Sequence, residues 1–483
     1  LNNKDGLDVF LNPKSVAVIG ATERSSSWGS MIMKGLLSSE YKGNIFPVNQ
    51  KSAMVYDVPA FKDIREIPEP VDLAVFTIPE QSVEKVLAAC GEKKVKGITL
   101  VTAGFGEIFE DQEGIDKEKK LVELAKSFGI RILGPNISGT FNLLADFNAS
   151  AGIAEHIYPT SLGAVCQGGF AFYDLLESGQ HQGMGVGKFI HTGNECDLTV
   201  SDFLEHFYHD PEVQGILMYL ETVRDGKRFR EVMRELTRKK PVVVYKAGVT
   251  PGSARAARSH TGALSGRKEV FEGVLDQLGV IISPTMELLL PLGHALTERP
   301  LMKGRRVGII TVGGSWGVIL SDFLEKEGLI VPELSQKLQN ILKSLGMPPR
   351  ASTRNPVDIG ASGLGFPIEN LVEMARKIIT SSEVDALVLH GLGNAGMVDH
   401  SSSPEELFMN DFSKQIILLF NELQTELDFP VIIGSHHSHR ESQVVWDLNK
   451  QGIRIFNRID ETAQILSLMH DYYQKRFAPS GRV

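Results

Sequence analysis

The sequence predicts an α/β protein built from three doubly wound parallel-sheet domains, at about 1–145, 146–296 and 300–483. Two observations carry this. Short apolar runs alternate with segments of helical periodicity along the whole chain, the pattern of parallel strands joined by crossover helices. The 483 residues also exceed what one core organises, and about three domains is the expectation for that length.

In the first domain strands are predicted at 15–19, 44–48, 72–76, 97–101 and 130–133, with helices at 31–37, 81–90 and 117–128. Ligands of such sheets lie outside the carboxyl ends of the strands. Those ends read Gly20 to Gly29, Pro47-Val-Asn-Gln-Lys51, Thr77-Ile-Pro79, Thr102-Ala-Gly-Phe-Gly-Glu107 and Gly134-Pro-Asn136. They are small, polar or turn-forming. Ser25, Ser26 and Ser27 precede a helix start, where free N–H groups favour an anion, and Lys51 adds positive charge. A dinucleotide site is disfavoured. The next glycine after Gly20 is Gly29, so G-x-G-x-x-G is absent, and the second strand ends in Asn49 rather than an acid.

In the second domain strands are predicted at 162–165, 186–191, 215–220, 242–245 and 280–283. Their ends bring Gln167, Gly168 and Gly169, then Gly193 and Asn194, then Glu221, then Lys246 to one sheet edge. The loop after the fourth strand reads A-R-A-A-R-S-H-T-G-A-L-S-G over 254–266. It presents His260 among glycines and hydroxyls, with Ser259 and Thr261 able to donate to an anion and Arg255 and Arg258 adding charge. A histidine so placed suits a phosphoryl nucleophile, and Glu221 suits the partner that fixes its ring nitrogen. The plainer readings are an idle surface histidine and a glutamate paired with Arg224.

The third domain follows the polar segment 297–306. Strands are predicted at 307–311, 329–331, 386–390, 431–434 and 453–456, and Asn355-Pro-Val-Asp358 reads as a turn. The opening G-I-I-T-V-G-G-S-W-G-V at 308–318 echoes A-V-C-Q-G-G-F-A at 164–171, so the second and third domains read as similar flavodoxin-like units. His436, His437 and His439 crowd one strand end, but without Cys or acidic neighbours in a zinc spacing, and no metal site is expected.

Composition narrows the classes. The chain is 42% hydrophobic and 23% charged, with a net charge of −9 and no basic run, which argues against nucleic acid. The three cysteines, Cys90, Cys166 and Cys196, lie far apart in sequence, so no disulfide framework is expected. The first residues lack a signal-peptide core and no apolar run suits a membrane span, so a cytoplasmic location is the expectation.

Taken together the motifs resemble one family, the NDP-forming acyl-CoA synthetases, relatives of succinyl-CoA synthetase. S-V-A-V-I-G-A-T at 15–22, P-V-N at 47–49, T-A-G-F-G-E at 102–107 and G-P-N at 134–136 look like its Rossmann-like CoA-binding domain. Y-L-E at 219–221, Y-K-A-G at 245–248 and above all S-H-T-G-A-L-S-G at 259–266 look like its phosphohistidine domain; N-P-V-D at 355–358 matches the third. The resemblance implies reversible conversion of acyl-CoA, phosphate and ADP into acid, CoA and ATP through an acyl phosphate and a phosphohistidine at His260. It implies Glu221 as that histidine's partner and phosphate binding near Gln167, Gly168, Gly169, Gly193, Asn194, Ser259 and Thr261. CoA is assigned by the same match to Gly20, Ser26, Asn49, Lys51, Pro79, Thr102, Ala103 and Asn136.

Two motifs depart from the family. Its Ser-Gln-Ser-Gly is Cys166-Gln-Gly-Gly169 here, losing two hydroxyls, and its Gly-Pro-Asn-Cys-x-Gly is Gly134-Pro-Asn-Ile-Ser-Gly139. No segment reads as the ATP-grasp fold that binds ADP or ATP with Mg2+. The expectation is therefore an α-type chain with an ATP-grasp β-type partner, in a hetero-oligomer or as a homodimer of α chains. The competing reading is a non-catalytic CoA- or acyl-CoA-binding regulator that retains the fold.

Overall fold

The computed structural model describes residues 6–107, 112–151, 157–180, 182–253, 255–256, 268–347, 351–360 and 366–477. The chain forms two compact units, Leu1–Glu177 with Gly185–Met286, and Ser178–Met184 with Glu287–Val483.

Among the described residues the first unit holds two large sheets and a two-stranded antiparallel ribbon, Met54–Val55 with Val58–Pro59. One large sheet contains β1 (Ser15–Ile19), β2 (Asn44–Val48), β3 (Leu73–Phe76), β4 (Gly97–Leu100) and β5 (Arg131–Leu133), all parallel, in the order β2-β1-β3-β4-β5. Every residue of β1, S-V-A-V-I, is buried. That suits a central strand covered on both faces, where an unbroken apolar run replaces alternation. Helices α1 (Trp28–Ser38), α2 (Val83–Glu92) and α3 (Gln112–Ser127) make the crossovers. Ser27 caps α1, its hydroxyl accepting the Ser30 N–H at 3.3 Å. The helix expected from residue 31 thus begins at Trp28.

The second sheet adds an antiparallel hairpin that the alternation of the chain did not suggest. Strands β6 (Gly139–Asn142) and β7 (Phe147–Ser150) pair with each other, and β6 runs antiparallel to β9 (Lys188–His191). The remaining strands are β8 (Leu162–Cys166), β10 (Gly215–Leu220), β11 (Val242–Lys246) and β12 (Ile281–Ile282), in the order β12-β11-β10-β8-β9-β6-β7. Helix α4 (Gly169–Gln180) leaves β8, α5 (Val200–His209) and α6 (Gly226–Leu236) follow β9 and β10, and α7 (Lys268–Gln277) leads to β12. Phe189 on β9 stacks between Phe141 and Phe172, with centroids 5.1 and 5.2 Å away, and ties the hairpin into the core.

The second unit opens with α8 (Leu289–Glu298) and contains β13 (Val307–Thr311), α9 (Gly314–Lys326), α10 (Gln336–Ser344), β14 (Val357–Asp358), α11 (Ile368–Thr380) and β15 (Ala386–His390). It ends with α12 (Pro404–Leu427), β16 (Val431–Gly434), α13 (Gln443–Lys450) and α14 (Ile459–Phe477). Among the described residues its sheet has four parallel strands, β14-β13-β15-β16, not the five expected. The segment 329–331 makes one bridge, Ile330 to Arg306, and 453–456 makes one, Phe456 to Gly434. Pro332 has no N–H and stops the first ladder. The Asn355 side chain fills the gap: its carbonyl accepts the Ile309 N–H at 2.9 Å and its amide donates to the carbonyls of Val307 and Pro332. The supposed turn Asn355-Pro-Val-Asp358 therefore starts the edge strand. Among the described residues no helix is long and apolar enough to cross a membrane.

Candidate functional site

The carboxyl ends of the first sheet open onto a cavity of about 630 Å³ lined by Gly20, Asn49, Lys51, Lys62, Pro79 and Lys85, among others. Gly20 has φ +94°, and a Cβ on Gly29 would stand 2.2 Å from the Gly20 carbonyl oxygen. Two glycines thus let α1 start hard against the end of β1, as close approach to a ligand requires. Asn49 locks the rim. Its amide donates to the Ala21 carbonyl at 2.7 Å, and its oxygen accepts the N–H groups of Lys51 and Ser52 at 2.8 and 2.9 Å. Lys62 and Lys85 were not singled out from the sequence; they belong to no motif, and only folding brings them beside Lys51. Ser26 lines neither this cavity nor the next, and Arg24 and Trp28 from the same loop line the larger one.

That larger cavity, about 920 Å³, lies where the carboxyl ends of both sheets of the first unit face each other. The first sheet supplies Thr77, Pro79, Thr102, Ala103 and Asn136; the second supplies Gly168, Gly169, His191, Tyr219 and Glu221. The Thr102 hydroxyl donates to the Ile78 carbonyl at 2.7 Å and fixes the turn that carries Pro79. Helix α4 begins at Gly169, so its unpaired N–H groups and dipole meet the cavity.

Three residues expected to bind phosphate stand behind this wall. Gln167 is 2% exposed. Its oxygen accepts the N–H groups of Glu221 and Thr222 at 2.7 and 2.9 Å, and its amide donates to the Thr222 carbonyl and to Glu195. It clamps the turn bearing Glu221. The Asn194 amide is engaged by Glu107 and Glu118 at 2.6 and 2.9 Å, and Gly193, at φ +57°, packs against the Pro135 carbonyl. Burial pushes the Glu195 carboxyl up from its usual range, with its bonds to Gln167 and Thr192 opposing. Arg224, which the plainer reading paired with Glu221, donates to the Asn194 carbonyl.

Glu221 itself is buried at the cavity wall, and Tyr219 donates its hydroxyl to the Glu221 carboxylate at 3.3 Å. The Lys246 ammonium donates to the backbone carbonyls of Glu221 and Ala247, and burial lowers its pKa. Lys246 therefore braces the strand ends from below. A Cβ on Gly168 would stand 2.7 Å from the Tyr219 ring, which accounts for glycine where the family motif has serine. Ala247, Gly248, Ser253 and Ala256 complete this side of the wall. Ser259, His260 and Thr261 follow in sequence and lie outside the described residues.

His191 and Ser138 also line the cavity, and the sequence reading passed over both. His191 Nε2 donates to the Gln167 carbonyl at 2.8 Å, so Nδ1 is the acceptor for the Ser138 N–H at 2.8 Å and hydroxyl at 2.9 Å. Reading the last residue of each strand, here His191 of β9, would have found the histidine.

Replacing Gln167 by Leu, of similar volume, is expected to destabilise the first unit by about 3 kcal/mol, since two buried N–H groups lose their acceptor at about 1–3 kcal/mol each. Urea unfolding measures this. A change under about 0.5 kcal/mol would mean the clamp is not needed.

In the second unit His390 Nε2 lies 3.3 Å from His436 Nε2, and Trp316 packs on both rings. Burial, then the neighbouring His436, holds the His390 pKa down at about 4, so the pair is neutral at pH 7. His439 packs on Trp446. Among the described residues no group of three or more His, Cys, Asp or Glu could hold a metal ion.

Comparison with known proteins accords with this geometry. A family described as "CoA binding domain" matches residues 14–140, and one described as "Succinyl-CoA ligase like flavodoxin domain" matches 159–296. The α subunit of ADP-forming acetate–CoA ligase II from Pyrococcus furiosus is 38% identical over 79% of this chain and 81% of its own length. The chain belongs to the NDP-forming acyl-CoA synthetase family. Another member, the α subunit of ADP-forming acetate–CoA ligase I from the same organism, is 33% identical over 96% of this chain and 97% of its own. A solved structure of the acetyl-coenzyme A synthetase 1 of Candidatus Korarchaeum cryptofilum, with phosphate and ADP, superposes with a TM-score of 0.80 at 28% identity, covering 97% of each chain. A solved structure from Pyrococcus horikoshii gives 0.81 at 29% identity, over 98% of this chain and all of the other. This NDP-forming synthetase chain thus shares the family's α/β fold, with a CoA-binding sheet preceding a flavodoxin-like one.

Proposed function

We propose that this chain is the α-type subunit of an ADP-forming acyl-CoA synthetase, interconverting acyl-CoA, phosphate and ADP with acid, CoA and ATP. The supporting observation is that a helix N-terminus with two glycines and a buried glutamate meet in one cavity that shares Ile78 and Pro79 with the CoA-type crevice. CoA supplies the thioester whose carbonyl carbon phosphate attacks. The crevice at Gly20, Asn49, Lys51 and Pro79 holds the nucleotide end. The N–H groups at Gly168 and Gly169 hold phosphate oxygens and favour the charge that develops on them. They also do the work of the two hydroxyls that the Cys166-Gln-Gly-Gly169 turn lacks.

His260 then takes the phosphoryl group from the acyl phosphate on one ring nitrogen, releasing the carboxylate. Glu221 accepts a hydrogen bond from the other nitrogen and balances the charge of the phosphorylated ring. Ser259 and Thr261 donate to the phosphoryl oxygens. The acceptor, ADP with Mg2+, binds on a separate ATP-grasp subunit, so the working enzyme is a hetero-oligomer.

The test is reconstitution. The purified chain alone is expected to bind CoA and make no ATP from acyl-CoA, phosphate and ADP; adding the ATP-grasp subunit restores ATP formation. Robust turnover by the chain alone overturns the division between two subunits. No turnover with the partner, despite CoA binding, favours a CoA-responsive regulator.

A further inference from the structure

The two cavities of the first unit share Ile78 and Pro79. A CoA whose nucleotide end rests by Gly20 and Asn49 therefore passes Pro79 and delivers its thiol into the larger cavity. The lining there is of two chemical kinds. Gly168, Gly169, Ser138, His191 and Glu221 offer polar groups and backbone N–H donors, and the reacting carbonyl belongs beside them because phosphate and helix N–H groups meet it there. Trp28, Val101, Ile137 and Phe170 make up the apolar part of the wall.

Two rings in that apolar wall face solvent. Phe170 is 66% exposed and Trp28 38%, with centroids 6.0 Å apart and planes inclined at 53°. Phe170 directly follows Gly169, so whatever extends from a carbonyl held at the start of α4 meets its ring first. A methyl group is too short to cover both rings. A planar substituent stacks on them at the ordinary aromatic spacing of about 4.5–7 Å and removes their apolar surface from water. The two departures from the family motifs act in the same direction. Ile137 replaces a thiol with a larger apolar group, and Gly168 removes a hydroxyl.

We infer that the acyl group handled by this chain carries an aromatic ring that packs against Phe170 and Trp28. The inference rests on the CoA-synthetase reading above. Its test is calorimetric titration of the full chain with CoA, acetyl-CoA and phenylacetyl-CoA. Phenylacetyl-CoA is expected to bind about tenfold more tightly than acetyl-CoA, and Phe170→Ala to reduce that ratio to about twofold or less. Acetyl-CoA binding by the variant serves as the check on folding. Equal affinity for the two thioesters in the wild type overturns the inference. So does a Phe170→Ala variant that weakens CoA as much as phenylacetyl-CoA, because the ring then serves the pantetheine arm. Failure to bind CoA at all sinks the underlying reading instead.

Discussion

A His260→Ala chain, mixed with its ATP-grasp partner and labelled ATP, is expected to take up no acid-labile, base-stable phosphoryl label while still binding CoA. The label's stability pattern distinguishes a phosphorylated imidazole from an acyl phosphate or a phosphoserine. The structural basis is the position of the residues that lead into the loop. Ala247, Gly248, Ser253 and Ala256 line the larger cavity, and His260 follows Ala256 by four residues. The Gly168–Gly169 helix start and Glu221 line the same cavity. CoA is assigned to the other sheet, so removing one imidazole leaves its crevice intact. A variant that still labels to the wild-type level would move the phosphoryl carrier to another residue. His191 would be the first to examine, because it lines the same cavity.

Glu221→Gln is expected to slow acyl-CoA-dependent ATP formation by the reconstituted pair by about 10²–10⁴-fold, the range seen when a group that orients and balances a catalytic imidazole loses its charge. The substitution isolates charge from position. Gln167 holds the Glu221 N–H, Lys246 holds its carbonyl, and Tyr219 retains an acceptor in the new carboxamide. The fold around it therefore stays, and the affinity for CoA with it. What is lost is the negative charge that, in the proposed mechanism, stabilises a ring carrying both a phosphoryl group and a proton. A rate within about threefold of wild type would remove Glu221 from the reaction.

Much of the fold was legible because parallel strands buried on both faces leave uninterrupted apolar runs. The runs at β1, β2, β10 and β13 have the bounds expected from the sequence. The third sheet was misread where a side chain stands in for a strand. Asn355 bonds to Ile309 and Val307 of β13 across separations of 46 and 48 residues that no local pattern encodes, and Pro332 ends the ladder expected of the apolar triplet 329–331. The hairpin β6–β7 was missed because it interrupts the strand–helix rhythm with two short antiparallel strands.

The candidate site divides in the same way. The sequence by itself determined the chemistry available: glycines at strand ends, a histidine in a glycine-rich loop and a glutamate closing β10. Strand ends share an edge whenever the strands run parallel, so that much follows from connectivity alone. Only the tertiary structure decided which side chains face the cavity and which support it. It turned Gln167 and Asn194 inward as braces, because buried N–H groups and carboxylates nearby need partners. It brought Ser138, His191, Trp28 and Phe170 to one cavity from four separate segments. Such convergence depends on how two sheets pack against each other, and packing of distant segments leaves no local period in the sequence.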